Sequence, residues 1–132
     1  MASRMTEEPL DFASLIRHGV KFRRCDAGER IFLEHDTGDC LYVVHTGRVD
    51  VITFGTLQES VGPNGIFGEM AMIDDGPRSA AALTSEPTEL AVVDKTTFLT
   101  LVREEPEFAL RVMRVLAQRI RRMGAARQST RS

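Results

Sequence analysis

Two residues ten positions apart carry the clearest chemistry in this chain: Glu69 and Arg78. Taken alone, such a pair would form a structural salt bridge. Their surroundings argue for more. Gly68 allows backbone to approach a ligand closely. The segment Phe67-Gly68-Glu69-Met70-Ala71-Met72-Ile73 has helix formers for about one turn, and Asp74-Asp75-Gly76-Pro77 is a turn sequence. Amides that open a short helix at Glu69–Ala71 lack intrahelical partners, which suits an anion. Arg78 adds a planar fork matched to two phosphate oxygens. Ser79 adds a hydroxyl, and the amides of Ser79 and Ala80 add donors. These groups together suit one phosphate carrying a single negative charge.

Glu69 does not fit a phosphate, because a carboxylate repels it. It fits a neighbouring sugar hydroxyl, which acidic residues accept in other nucleotide sites. A ligand with a phosphate beside a free ribose hydroxyl is implied, and a ribose 3′,5′-cyclic monophosphate has that arrangement.

The rest of the chain must hold this segment. From Val20 to Asp94, short β-rich runs alternate with glycine, as in a sandwich or barrel. Strands are expected at Val20–Arg24, Arg30–Leu33, Leu41–His45, Arg48–Phe54, Leu57–Val61, Ser79–Thr84 and Glu89–Val93. Leu10 to His18 predicts a short amphipathic helix stopped by Gly19. Lys95–Arg103 predicts another. Pro106 suits the first position of a third, which should run to about Met123 with Gly124 as its stop. Phe108, Val112, Leu116, Ile120 and Met123 form its apolar stripe, widened by Ala109, Met113 and Val115. Arg119 lies at the edge of that stripe. One domain over 10–123 is expected, with flexible ends at 1–9 and 124–132.

At 132 residues, with 42% hydrophobic and 27% charged residues, the chain suits a single globular domain. No apolar run approaches the roughly 20 residues of a membrane span. The N-terminal residues are acidic and do not read as a signal peptide. Cys25 and Cys40 make no disulfide framework and lack zinc-motif spacing, so a reducing cytoplasm is expected. His18, His35 and His45 form no metal constellation, so no metal is expected and a metal-dependent jelly-roll enzyme is disfavoured. No Ser/His/Asp signature or nucleophile elbow is present, so no enzyme is expected.

The net charge of -2 hides a split: residues 1–107 carry -9 and residues 108–132 carry +7 from seven arginines. An arginine-rich end can meet nucleic acid, an acidic partner or solvent. The acidic body and the lack of interleaved aromatics argue against nucleic acid. The last helix is instead expected to pack on the body, on the ligand's base or on a second copy of the chain, and to offer its basic face to a downstream protein. If it is a lid, a chain ending after Glu107 should still fold and bind.

Phe67-Gly68-Glu69-Met70-Ala71-Met72, followed by Pro77-Arg78-Ser79-Ala80, resembles the phosphate-binding cassette of the cyclic nucleotide-binding domain family. Ala27-Gly28-Glu29-Arg30-Ile31, Gly38-Asp39, Leu41-Tyr42-Val43-Val44 and Gly47-Arg48-Val49 resemble the same family upstream. The resemblance implies a mainly β fold: an antiparallel, jelly-roll-like β-roll with an inserted short helix, an N-terminal helix and two C-terminal helices. It implies that Gly68 and Ala71 supply backbone contacts. It gives Glu69 the ribose 2′-hydroxyl and Arg78 the cyclic phosphate, helped by Ser79 and Ala80. Phe67 and Met70 would line the pocket. Arg119 would serve as a lid residue on the last helix. Ser79 leans the ligand toward cAMP, because family members preferring cGMP often carry Thr there, though its hydroxyl also suits cGMP. The helix-turn-helix that follows in transcription factors of the family has no counterpart in this sequence, so either a free-standing sensor or an excised domain is expected.

Overall fold

A computed structural model describes residues 10–73 and 76–131 of the chain. The expected flexible end at 1–9 lies outside them. Eight strands and four helices follow in the order α1 (Phe12–Arg17), β1 (Lys21–Cys25), β2 (Arg30–Phe32), β3 (Cys40–Thr46), β4 (Val49–Thr53), β5 (Thr56–Val61), β6 (Ile66–Phe67), α2 (Met70–Ile73), β7 (Ala81–Thr84), β8 (Thr88–Asp94), α3 (Lys95–Glu104) and α4 (Pro106–Arg131). The strands form two four-stranded antiparallel sheets, ordered β1-β8-β3-β6 and β2-β7-β4-β5. This is the expected antiparallel β-roll with flanking helices.

The central strand β3 explains why the fold has two cores. Side chains alternate between the faces of a strand, yet Leu41, Tyr42, Val43 and Val44 are all buried. Leu41 and Val43 face the helices, with Ala91 and Val93 of β8, Leu15 of α1, Leu101 of α3, and Phe108 and Val112 of α4. Tyr42 and Val44 face the roll interior, with Val49, Val61, Phe67, Ala82 and Leu90. The first sheet is therefore covered on both faces. Its central strand β3 reads as a continuous apolar run rather than as clean alternation.

Helix boundaries follow local chemistry. The Asp11 carboxylate accepts from Ser14 N at 3.1 Å and caps α1. Asp94 caps α3 by accepting from Thr97 N at 2.8 Å, and that backbone hydrogen bond holds its pKa below the usual value. Pro106 opens α4, as expected.

One expectation about α4 needs correction. The helix does not stop at Gly124 but runs on to Arg131. Gly124 does not take the left-handed conformation of a helix-ending glycine. A glycine inside a helix costs only about 1 kcal/mol relative to alanine, and the strong helix formers Ala125, Ala126, Arg127 and Gln128 follow it. The apolar stripe is buried only in its first half. Phe108, Ala109 and Val112 enter the core, and Val115 and Leu116 pack against it. Met113 and Ile120 are 58% and 68% exposed. The side chain of Met123 lies outside those described.

His18 ties α1 to the α3–α4 junction. Its Nδ1 meets Ser14 O at 2.8 Å and its Nε2 meets Glu104 Oε1 at 3.2 Å. The Ser14 hydrogen bond, together with Glu104 and Glu105, raises its pKa despite some desolvation. A histidine with a raised folded-state pKa adds stability that is full below its unfolded value of about 6.5 and fades as pH climbs through the folded value. The melting-temperature gap between wild type and His18→Gln should therefore narrow from pH 5.5 to pH 8.5. A gap that stays constant across that range would show that the tie is not protonation-linked.

Candidate functional site

β6 ends at Phe67, and the chain then turns sharply into α2 through Gly68. Gly68 has φ +77, in the left-handed region. A Cβ there would stand 3.0 Å from Arg78 Nη1 and 3.4 Å from Tyr42 Cδ2, so glycine is required both by conformation and by space. The turn aims the Gly68 carbonyl at Arg78 and carries Glu69 inward. Phe67 lies beneath, stacked on Tyr42 across the strand pair with ring centroids 5.2 Å apart. The two-residue strand β6 was not among those expected, because a strand that short has no readable period.

Arg78 is anchored by its own backbone. Its N–H donates to Asp36 O and its carbonyl accepts from His35 N, both at 2.8 Å. Its side chain is 7% exposed. Nη1 donates to Gly68 O at 3.0 Å and Nη2 to Cys40 O at 2.8 Å. The guanidinium carbon lies 4.1 Å from the centroid of the Phe32 ring and 5.9 Å from that of Tyr42. Nε has no partner. Gly38 lets the neighbouring loop close down, since a Cβ there would stand 2.9 Å from Nη2. Among the described residues no carboxylate joins these partners. A buried cation held by carbonyl dipoles and aromatic faces, with one donor unused, is electrostatically incomplete.

Glu69 does not pair with Arg78. It is 2% exposed, and its Oε2 accepts from Nη1 of Arg119 on α4. Its Oε1 is buried without a partner. Arg119 also donates from Nη2 to Ile66 O and from Nε to Glu59 Oε1, both at 2.9 Å. Burial works against the charged guanidinium, but Glu69 and Glu59 more than offset this and raise its pKa.

A cleft of about 200 Å³ opens above these groups. Phe67, Gly68, Glu69, Met70, Ala71, Arg78, Ser79 and Ala80 all line it, and Arg119 closes one side. Met70 and Ser79 stand at the exposed rim, while Phe67 and Ala71 are buried. The Ala71 amide is not wholly free, since it makes a long 3.4 Å bond to Gly68 O. Phe32 and Val51 also line the cleft. Sequence reasoning missed both, and it missed Glu59 and the Cys40 carbonyl. These groups reach the site from distant strands, and nothing local marks them. Among the described residues no three His, Cys, Asp or Glu side chains gather as metal ligands, and no helix is long and apolar enough to cross a membrane.

The arrangement sets a buried guanidinium with an unpartnered Nε and a carboxylate with an unpartnered oxygen in the lining of one cleft. It suits a small ligand with an anionic end and a hydroxyl donor. Comparison with known proteins agrees. The chain is similar to a cAMP-dependent protein kinase regulatory subunit of Yarrowia lipolytica, at 38% identity over 83 residues, 63% of this chain and 22% of the relative. It is similar to the cyclic AMP receptor protein of Thermus thermophilus, at 36% identity over 99 residues, 71% of this chain and 46% of the relative. The chain thus spans less than half the length of either. Among solved structures, the catabolite activator protein of Thermus thermophilus superposes with a TM-score of 0.80 at 30% identity, over 95% of this chain and 61% of that one. Residues 22–105 match the family model described as cyclic nucleotide-binding domain, a span that holds the whole cassette and every strand but the first residue of β1. With that model covering well over half of it, the chain belongs to the cyclic nucleotide-binding domain family.

Proposed function

We propose that this chain is a cytoplasmic, non-enzymatic sensor that binds a 3′,5′-cyclic nucleotide, cAMP ahead of cGMP, and answers by repositioning α4. The domain doing so is taken as 10–123. The observation that carries the reading is Arg78: a buried guanidinium with no carboxylate partner among the described residues and an unpaired Nε. A cyclic phosphate brings the one negative charge it lacks. Ser79 and Ala80 add donors at the rim. Gly68 and Ala71 supply backbone contacts, Phe67 and Met70 apolar walls. Glu69 Oε1 takes the ribose 2′-hydroxyl, which gives that buried oxygen its missing partner. The two curated relatives are cAMP proteins by name, which supports cAMP. The Ser79 hydroxyl keeps cGMP as the second ligand to test. The exposed outer half of α4 is where a downstream protein or a second copy would meet the chain.

Calorimetry with cAMP and cGMP on the purified chain tests the choice of base. Thermal unfolding tests the site. A ligand at 100 times its Kd adds about 2.7 kcal/mol, roughly 10 °C for a domain of this size. cAMP should give a shift of that order, and 5′-AMP much less, because an open phosphate of higher charge fits one buried arginine poorly. Equal shifts with the two nucleotides would defeat the cassette assignment.

A further inference from the structure

Resting on that assignment of Glu69 to the ribose hydroxyl, we infer that Glu59 is a positioning residue of the nucleotide site, acting on Glu69 through Arg119. Glu69 has a difficult task. Its carboxyl is buried, shares the cleft with the proposed phosphate and must aim one oxygen at the sugar. Arg119 supplies the missing positive charge and takes Oε2, which leaves Oε1 as the only oxygen free for a ligand.

Arg119 does not point there by itself. It is a long side chain from a helix, and holding it in one rotamer costs entropy. Three bonds fix it, on Glu69, the Ile66 carbonyl and Glu59. Only Glu59 holds the Nε edge of the fork, at 2.9 Å. Glu59 belongs to β5 and does not line the cleft. It also faces Nη2 of Arg122 at 3.5 Å, one turn further along α4. A carboxylate outside the cleft thus aligns the arginine that aligns the carboxylate inside it. The chain Glu59–Arg119–Glu69 joins the β4–β5 hairpin, α4 and the cassette through paired charges.

The effect should be confined to the sugar hydroxyl, which gives a clean readout. Calorimetry on the full chain compares cAMP with its 2′-deoxy analogue. Wild type should favour cAMP by about tenfold, one charged hydrogen bond's worth. Glu59→Ala should weaken cAMP by about three- to tenfold and leave the 2′-deoxy analogue within about twofold, so the preference collapses. Glu59→Gln should keep most of the preference, because an amide oxygen still accepts from Nε–H. Should Glu59→Ala not fold, Arg119→Met breaks the same link from the helix side, and the same ratio decides. Equal weakening of both nucleotides, or an unchanged preference, overturns the inference while leaving the proposed ligand intact. A wild-type chain that binds neither nucleotide overturns the ligand reading itself. One that binds both equally removes Glu69 from the ribose, and the inference with it.

Discussion

Arg78→Ala is expected to cost about 2–5 kcal/mol of cAMP affinity, roughly thirtyfold to several-thousandfold in Kd. The guanidinium is the one buried positive group facing the cleft without a carboxylate among the described residues. Arg119 cannot substitute for it, since Glu69 and Glu59 already balance its charge. Without Arg78 a bound phosphate would be desolvated and unpaired, which is the expensive case. Stability should suffer less than affinity. The substitution takes the Arg78 donors away from the Gly68 and Cys40 carbonyls, at about 1–3 kcal/mol. It also removes a buried charge that had no counter-ion, which partly offsets the loss. Arg78→Lys should resemble Arg78→Ala in binding, because an ammonium cannot serve two carbonyls and a phosphate from one plane. Glu69→Gln should cost less than either, as an amide still accepts from a hydroxyl. Calorimetry reads the affinities and thermal unfolding the stability. Wild-type affinity in Arg78→Ala would place the phosphate site elsewhere.

What was legible in the sequence was mostly local. Seven of the eight strands fall within a residue or two of where apolar runs and glycine turns put them. Only β6 escaped, because two residues carry no period. That Gly68, Glu69, Arg78 and Ser79 would gather at one cleft was legible because they lie within a dozen positions, and each has its own chemical reason. Partnership was not legible. Glu69 and Arg78, neighbours of opposite charge, suggested each other, yet each found its partners across the fold: Glu69 on α4, Arg78 on the carbonyls of Gly68 and Cys40. Arg119 was placed by helical phase at the edge of the apolar stripe. Phase alone could not say that the edge turns toward Glu69. Glu59 was invisible for the same reason, being one acidic residue on a strand rich in polar groups. The stripe of α4 shows the limit most plainly. Periodicity finds a face but not what covers it, so Val112 and Ile120 looked alike in sequence. One is core and the other lies in solvent.

That division of α4 leads to the second large effect. A chain ending after Glu107 is expected to lose cooperative folding rather than persist as an open roll. Phe108 and Val112 are 4% and 2% exposed and pack with Leu15, Leu41 and Leu101. Losing a buried phenylalanine costs about 3–5 kcal/mol, and a domain has only about 5–15 kcal/mol in all. Ala109, Val112, Val115 and Leu116 would go with it, and the apolar face of β3 and β8 would be uncovered. The informative cut lies one and a half turns before the outer end of the bonded arginines. A chain ending after Ala117 keeps all of these packing residues and removes Arg119 and Arg122. It should still unfold cooperatively, at a melting temperature lowered by the loss of Arg119 from beside the buried Glu69. Its affinity for cAMP should fall mainly through faster dissociation, because contacts made over a bound ligand act on its escape. Stopped-flow release of a fluorescent cAMP analogue measures that rate, and a thermal melt checks the fold. A folded, binding chain ending after Glu107 would show that the first turns of α4 are not core. An unchanged release rate in the chain ending after Ala117 would assign the outer half of α4 to partner binding and remove it from any movement over the ligand.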